Sequence, residues 1–158
     1  MANARAIARD LAKSADEVER TRRIPADLLA RMHELRLCKM LLPKSTGGDE
    51  IHPGLYLQCI EELSQHNSSV GWNVFVANSA ALIAPYLEPE TAHMVLGPPN
   101  ALVAWGPPNA TLATIEPGGY LVTGEWSFAG GSCHATWMGL LCMVPESDGS
   151  PSLTPARH

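Results

Sequence analysis

Apolar positions change their period once along this chain, from helical spacing to strand-like alternation, and the change falls at Gly97-Pro98-Pro99-Asn100. Before it, Ile7, Leu11 and Val18 recur at helical intervals with charges between them, predicting an amphipathic first helix that ends ahead of Arg22-Arg23. Pro25 suits the first turn of a second helix carrying Leu28, Leu29, Met32 and Leu35. Leu37 to Leu42 is a short apolar exit, and Pro43 to Gly48 reads as a loop. Leu55, Cys59, Ile60 and Leu63 mark a third helix, with Glu61-Glu62 on its solvated side. Ser68 or Ser69 is placed to cap the next helix, which runs into the most apolar stretch, Val70 to Leu87. Asn73, Asn78, Ser79 and Pro85 interrupt that stretch and no basic residues flank it, so it reads as a helix buried among helices rather than a membrane span. A short helix from Pro89 to Leu96 closes the series.

Beyond residue 100 the alternation suits strands. Ala101–Trp105 and Thr111–Ile115 are the first two, and Glu116-Pro117-Gly118-Gly119 turns into a third in which Tyr120, Val122, Trp126 and Phe128 alternate with small or polar residues. Ala129-Gly130-Gly131 breaks that run, and Ala135 to Val144 reads as its returning partner. The expected fold class is α+β, with a helical part at 1–97, a partial antiparallel β part at 98–149 and a disordered polar tail at 150–158.

Composition narrows the class further. With 158 residues, 46% hydrophobic and 17% charged, the chain suffices for one sizeable core. A formal net charge of -5 without a Lys/Arg stripe excludes a nucleic-acid surface. Arg20, Arg22 and Arg23 form the one dense basic spot; it reads as a solvated helix end, with contact to phosphate as the alternative. Cys38, Cys59, Cys133 and Cys142 form no C-x-x-C pair and no zinc-like spacing with histidine, so no metal site and reduced cytoplasmic thiols are expected. The amino terminus carries neither a leader-like nor an anchor-like apolar run. Neither G-x-G-x-x-G nor a P-loop occurs.

The stretch from Gly119 to Val144 holds two tryptophans, a glycine pair and Cys133 beside His134. On the residues alone, two descriptions fit: an edge where glycine backbone and aromatic faces receive a flat ring, or a hairpin whose aromatics fill an ordinary core. His134 is then either a site residue or a strand-end histidine bonded to backbone.

Gly124-Glu125-Trp126-Ser127-Phe128-Ala129-Gly130-Gly131, followed by His134-Ala135-Thr136-Trp137, resembles the middle-domain signature of the acyl-CoA dehydrogenase superfamily. More narrowly it is similar to the two-component, flavin-dependent aromatic hydroxylases, which carry G-x-W-x-F-x-S-G and then a His before an aromatic. Pro43 to Gly48 resembles the family's P-x-x-x-G-G turn. Asn67, Ser69 and Trp72 stand in its D-x-S-x-x-W pattern, with Asn for the commoner Asp.

The resemblance implies a reduced flavin, FAD or FMN, supplied by a separate reductase and used with dioxygen to hydroxylate a small phenolic or aromatic substrate. It implies cofactor contacts from Trp105, Gly106, Ser127, Phe128, Ala129 and Gly130, although Ala129 lacks the hydroxyl often found there. Trp72 would line the substrate cavity, and His134 would be catalytic, taking a phenol proton. These roles require Phe128 and His134 to face one cavity. Homo-oligomers are the family habit. The alternatives are oxidation of an acyl thioester, whose base would sit in a carboxy-terminal helical bundle that this chain lacks, and a non-catalytic remnant or interaction module. The likeness runs from about Arg5 to Val144, well under half of a typical member, which implies a fragment or a truncated relative.

Overall fold

The amphipathic start of the chain is three short helices rather than one: α1 (Ala2–Ala6), α2 (Ala8–Lys13) and α3 (Ala15–Thr21). Ile7 and Ser14 separate them with ψ of -7° and -2°, and the Ser14 hydroxyl donates back to the Leu11 carbonyl at 3.1 Å, competing with the helical ladder. The small kinks keep Ile7, Leu11 and Val18 on one buried face. Arg22, left-handed at φ 57°, stops α3. Pro25 then precedes α4 (Ala26–Glu34), which buries Leu28 and Met32. The computed structural model describes residues 1–145; the expected tail at 150–158 lies outside them.

Two longer helices follow, α5 (Pro53–His66) and α6 (Ser68–Ala81). The cap of α6 is Asn67, not a serine: its Oδ1 accepts from the Val70 N–H at 3.1 Å, work that a neutral amide does as well as a carboxylate. Helix α6 is apolar nearly all round because it is packed on opposite sides. Val70, Val74 and Ala77 join Ile7, Leu11, Met32 and Leu63 in the main core, while Ala80 and Ala81 join Leu42, Leu96 and Val103 in a second cluster. Burying each of the larger side chains contributes roughly 1.5–3 kcal/mol.

A helix packed this way meets a polar problem at Asn78, which is fully buried. Its amide is completely used: Nδ2 donates to the Leu37 and Val74 carbonyls at 2.8 and 2.9 Å, and Oδ1 accepts from the Leu41 N–H at 3.0 Å. The short 3₁₀ turn Leu37–Lys39 and the exit after it are thereby tied to α6. Next to it, the buried Lys39 ammonium donates to the Leu96 carbonyl at the end of α7 (Pro89–Leu96). Burial draws the Lys39 pKa below its ordinary value.

Four strands follow, β1 (Val103–Gly106), β2 (Pro108–Glu116), β3 (Gly119–Trp126) and β4 (Trp137–Leu140). The expected hairpin of β2 and β3 forms, antiparallel, with Glu116 opposite Gly119. The last strand does not return along β3. It lies parallel to β1, with Val103 opposite Trp137 and Gly106 opposite Leu140, so the β part is mixed rather than wholly antiparallel. The cause is the entry to β4, where the Thr136 N–H donates to the Leu102 carbonyl at 2.8 Å and the Thr136 hydroxyl accepts from the Leu102 N–H at 3.1 Å. Beyond β4 the chain crosses to β2, where Ala113 and Thr111 exchange backbone bonds with Met143. Helix α6 packs on β1 and buries Val103 and Ala104. The alternation expected of the β2–β3 hairpin does not become a buried face: Leu112, Ile115, Leu121 and Val122 stay exposed because no described element covers them.

Asn78→Leu is expected to leave the Leu41 N–H and the Leu37 carbonyl unpaired in a dry interior, lowering stability by roughly 2–4 kcal/mol. Urea unfolding followed by circular dichroism measures this; a loss near zero would mean that water reaches those groups.

Candidate functional site

The turn after β3 is held by close backbone approach on two sides. A Cβ placed on Gly106 would lie 2.5 Å from the Ser127 carbonyl oxygen and 3.2 Å from the Ala129 nitrogen, so only glycine lets the end of β1 touch this turn. At Gly130 a Cβ would lie 2.8 Å from Trp72 Nε1 and 3.1 Å from Val76 Cγ2, so the turn also rests on α6. Trp105 forms an isolated antiparallel bridge with Gly130, and its indole Nε1 donates to the Ser79 hydroxyl at 3.1 Å. These glycines serve contact of the protein with itself, and the flat faces lie beside them.

Trp72 is one such face. Its ring stacks on Phe75 with centroids 5.4 Å apart, and Phe75 stacks in turn near Tyr56 at 6.2 Å. The Tyr56 hydroxyl donates to the Phe75 carbonyl at 3.1 Å, and burial pushes its pKa up to about 12, so it stays a phenol. Trp72 remains 57% exposed at the free end of the stack. Phe128 is 88% exposed and sits at φ 57°, a left-handed backbone costly for an aromatic residue. Trp72, Trp105, Gly106, Ser127, Ala129 and Gly130 are therefore drawn into one assembly, with Phe128 projecting from its rim.

His134 lies apart. It ends the 3₁₀ turn Ser132–His134, and its Nε2 accepts from the Ile24 N–H at 3.0 Å. The neutral ring then carries its proton on Nδ1 and has no free lone pair, which is a poor arrangement for a base. Burial, and then the Arg23 guanidinium, hold its pKa below the ordinary value of 6.5. His134 lines a cavity with Arg22, Arg23, Ser69, Asn73 and Ser132, and Phe128 does not line it. The shared cavity expected for Phe128 and His134 is thus not formed among the described residues. In this structure His134 ties the β part to the α3–α4 linker.

Several contributors escaped the sequence. Ser79 has no signal beyond its place on α6, one turn after the stack. Tyr56 and Phe75 lie on different helices, and no spacing rule brings them together. Among the described residues no cluster of His, Cys, Asp and Glu could hold a metal ion, and no helix is long and apolar enough to cross a membrane.

The sequence profile of the acyl-CoA dehydrogenase amino-terminal domain matches residues 2–96. A pigment production hydroxylase of Rhodococcus erythropolis is 26% identical over 151 residues, covering 95% of this chain and 38% of its own length. The oxygenase component of an FADH(2)-dependent resorcinol hydroxylase from Rhizobium sp. (strain MTP-10005) is 29% identical over 145 residues, covering 87% of this chain and 34% of its own. Among solved structures, XiaF from Streptomyces sp. in complex with FADH2 and glycerol superposes with a TM-score of 0.86 at 28% identity, over 95% of this chain and 38% of XiaF. The chain thus spans well under half the length of these relatives.

The tether at His134 carries a pH signature. Unfolded, the imidazole takes its proton near 6.5; folded, it resists to a lower pH, so the folded form loses stability as pH falls below 6.5 until the folded ring itself protonates. His33, also lowered chiefly by burial, acts in the same direction. His134→Gln is expected to lower stability at neutral pH and to make the acid-side decline shallower than in the parent. Urea midpoints across a pH series check both, and an unchanged slope would remove the tether.

Proposed function

This chain belongs to the acyl-CoA dehydrogenase family through its amino-terminal domain, and from that premise we propose that it supplies one wall of a flavin site in an oxygenase component that hydroxylates aromatic compounds. The observation that carries this is the immobilised turn at 127–130, braced by Gly106 and by Trp72 and flanked by uncovered aromatic faces. The relatives support it, since they include flavin-dependent monooxygenases and a hydroxylase of a phenolic compound.

The residues suit a planar, largely apolar ring. Phe128 and Trp72 offer faces for stacking beside a turn, Ser127 to Gly130, that cannot recoil from a ligand. Trp105 and Gly106 would hold the opposite side of that turn. When bound, a reduced flavin supplied by a separate reductase provides the electrons and the capacity to activate dioxygen. The protein's own contributions are to fix the turn, to present Trp72 beside an aromatic substrate, and to keep water from the apolar side. His134 acts here as a positioning residue, holding Gly131 to Ala135 against the helical part. Its Nε2 bond to Ile24 argues against the base role that family likeness suggests. The cysteine spacing, without a C-x-x-C pair, fits our reading that this work takes place in the cytoplasm alongside the reductase.

Titration of the purified chain with FAD and with FMN, oxidised and reduced, tests this through tryptophan and flavin fluorescence. Saturable quenching is expected, and the tighter ligand decides between the two flavins. Gly130→Val, which forces the turn off Trp72, is expected to weaken flavin binding about tenfold or more with little change in the far-ultraviolet circular dichroism. Absence of saturable binding by the parent would leave an interaction module as the better description of this segment.

A further inference from the structure

The basic spot that reads in the sequence as a solvated helix end opens onto a cavity of about 250 Å³. We propose that this cavity, framed by Arg22, Arg23, Ser69, Ser132 and His134, binds a small oxyanion, the carboxylate or phosphate group of an organic acid, at a site separate from the flavin turn.

Three chain segments converge there: the α3–α4 linker, the first turn of α6 and the 3₁₀ turn Ser132–His134. Arg22 lines the cavity from a left-handed backbone at φ 57°, a conformation uncommon for a residue with a side chain. Its guanidinium meets Glu19 at 3.8 Å, a long and solvent-exposed pair that contributes little. Arg23 makes no ion pair among the described residues, yet it lies near enough to His134 to depress its protonation. Because the Ile24 N–H occupies Nε2, the imidazole offers the cavity a donor, Nδ1–H, rather than an acceptor.

The lining is thus rich in donors. Two arginines, two serines and a histidine stand against the carboxylate of Glu19 and the amide of Asn73, whose Nδ2 is spent on the Ser69 carbonyl at 2.8 Å. A cation would meet repulsion from two arginines, and an apolar group would strand the donors. An oxyanion matches the forks in shape and charge. The volume holds a carboxylate or phosphate with a small attached group, since a water molecule takes up about 30 Å³. Occupancy does not depend on flavin, so failure of flavin binding leaves this site to be judged on its own.

His134 reports directly on the cavity. An anion beside Arg23 offsets its charge and raises the His134 pKa. Imidazole resonances of the full chain would be followed by NMR across pH with inorganic phosphate, with benzoate, and with chloride at matched ionic strength. Phosphate or benzoate is expected to shift the His134 titration upward and saturably, and the one that saturates first identifies the preferred oxyanion. Arg23→Gln is expected to weaken that response about tenfold or more, with Arg23→Lys in between because it keeps the charge and loses the fork. Should R23Q fail to fold by circular dichroism, Ser132→Ala on the exposed turn takes its place, with weaker binding expected. A shift reproduced by chloride, no saturation with either anion, or affinity unchanged in a folded R23Q or S132A protein would overturn the site.

Discussion

Helix α6 can be packed from opposite sides only because its one fully buried amide, Asn78, is fully paired. On the two packed faces of the helix an unpaired amide would cost several times what a methyl group contributes. Asn78 turns that liability into a fastening, engaging backbone on both flanks of the Leu37–Lys39 turn as well as its own helix. The segment thus anchored carries Lys39, which reaches the end of α7. What arrives at β1 is therefore a rigid platform. The same helix presents Trp72 and Val76 to Gly130 and Ser79 to Trp105, so the turn inherits its position from a packing decision made deep in the helical part.

Among the contacts that join the halves, two differ in kind. Gly130 against Trp72 is a steric contact that admits one residue type. His134 on Ile24 is a single hydrogen bond whose strength follows protonation. A flavin wall built on the first would be insensitive to pH, whereas the neighbouring cavity, framed by the second, would not. That division explains why one histidine can be prominent in the motif and still have no free lone pair for chemistry.

Much of the helical part was legible because burial there follows the repeat of single helices: Ile7, Leu11, Leu28, Met32 and Leu63 are buried where their spacing puts them. The caps were less so, since Asn67 and Ser68 are both good capping residues and only geometry chooses between them. The β part was legible as strands and, through its Pro-Gly-Gly turn, as the β2–β3 hairpin, but not in the pairing of the last strand. Alternation states which face a residue takes and says nothing of which strand lies beside it, so the parallel match of Val103 with Trp137 had no local signal. At the site, the residues of the turn lie side by side, while the bond between Ile24 and His134 joins positions 110 residues apart, which no motif encodes.

The parallel seam between β1 and β4 orders events during synthesis. As the chain leaves the ribosome, Val103–Gly106 emerges before the entire β2–β3 hairpin, and its lateral hydrogen-bonding groups wait until Trp137–Leu140 follows. The helices meanwhile have all their own partners and can consolidate, so α6 covers one face of β1 as an early chaperone in cis. Any slowing of translation across the hairpin would prolong the interval in which that lone strand is open to another nascent chain.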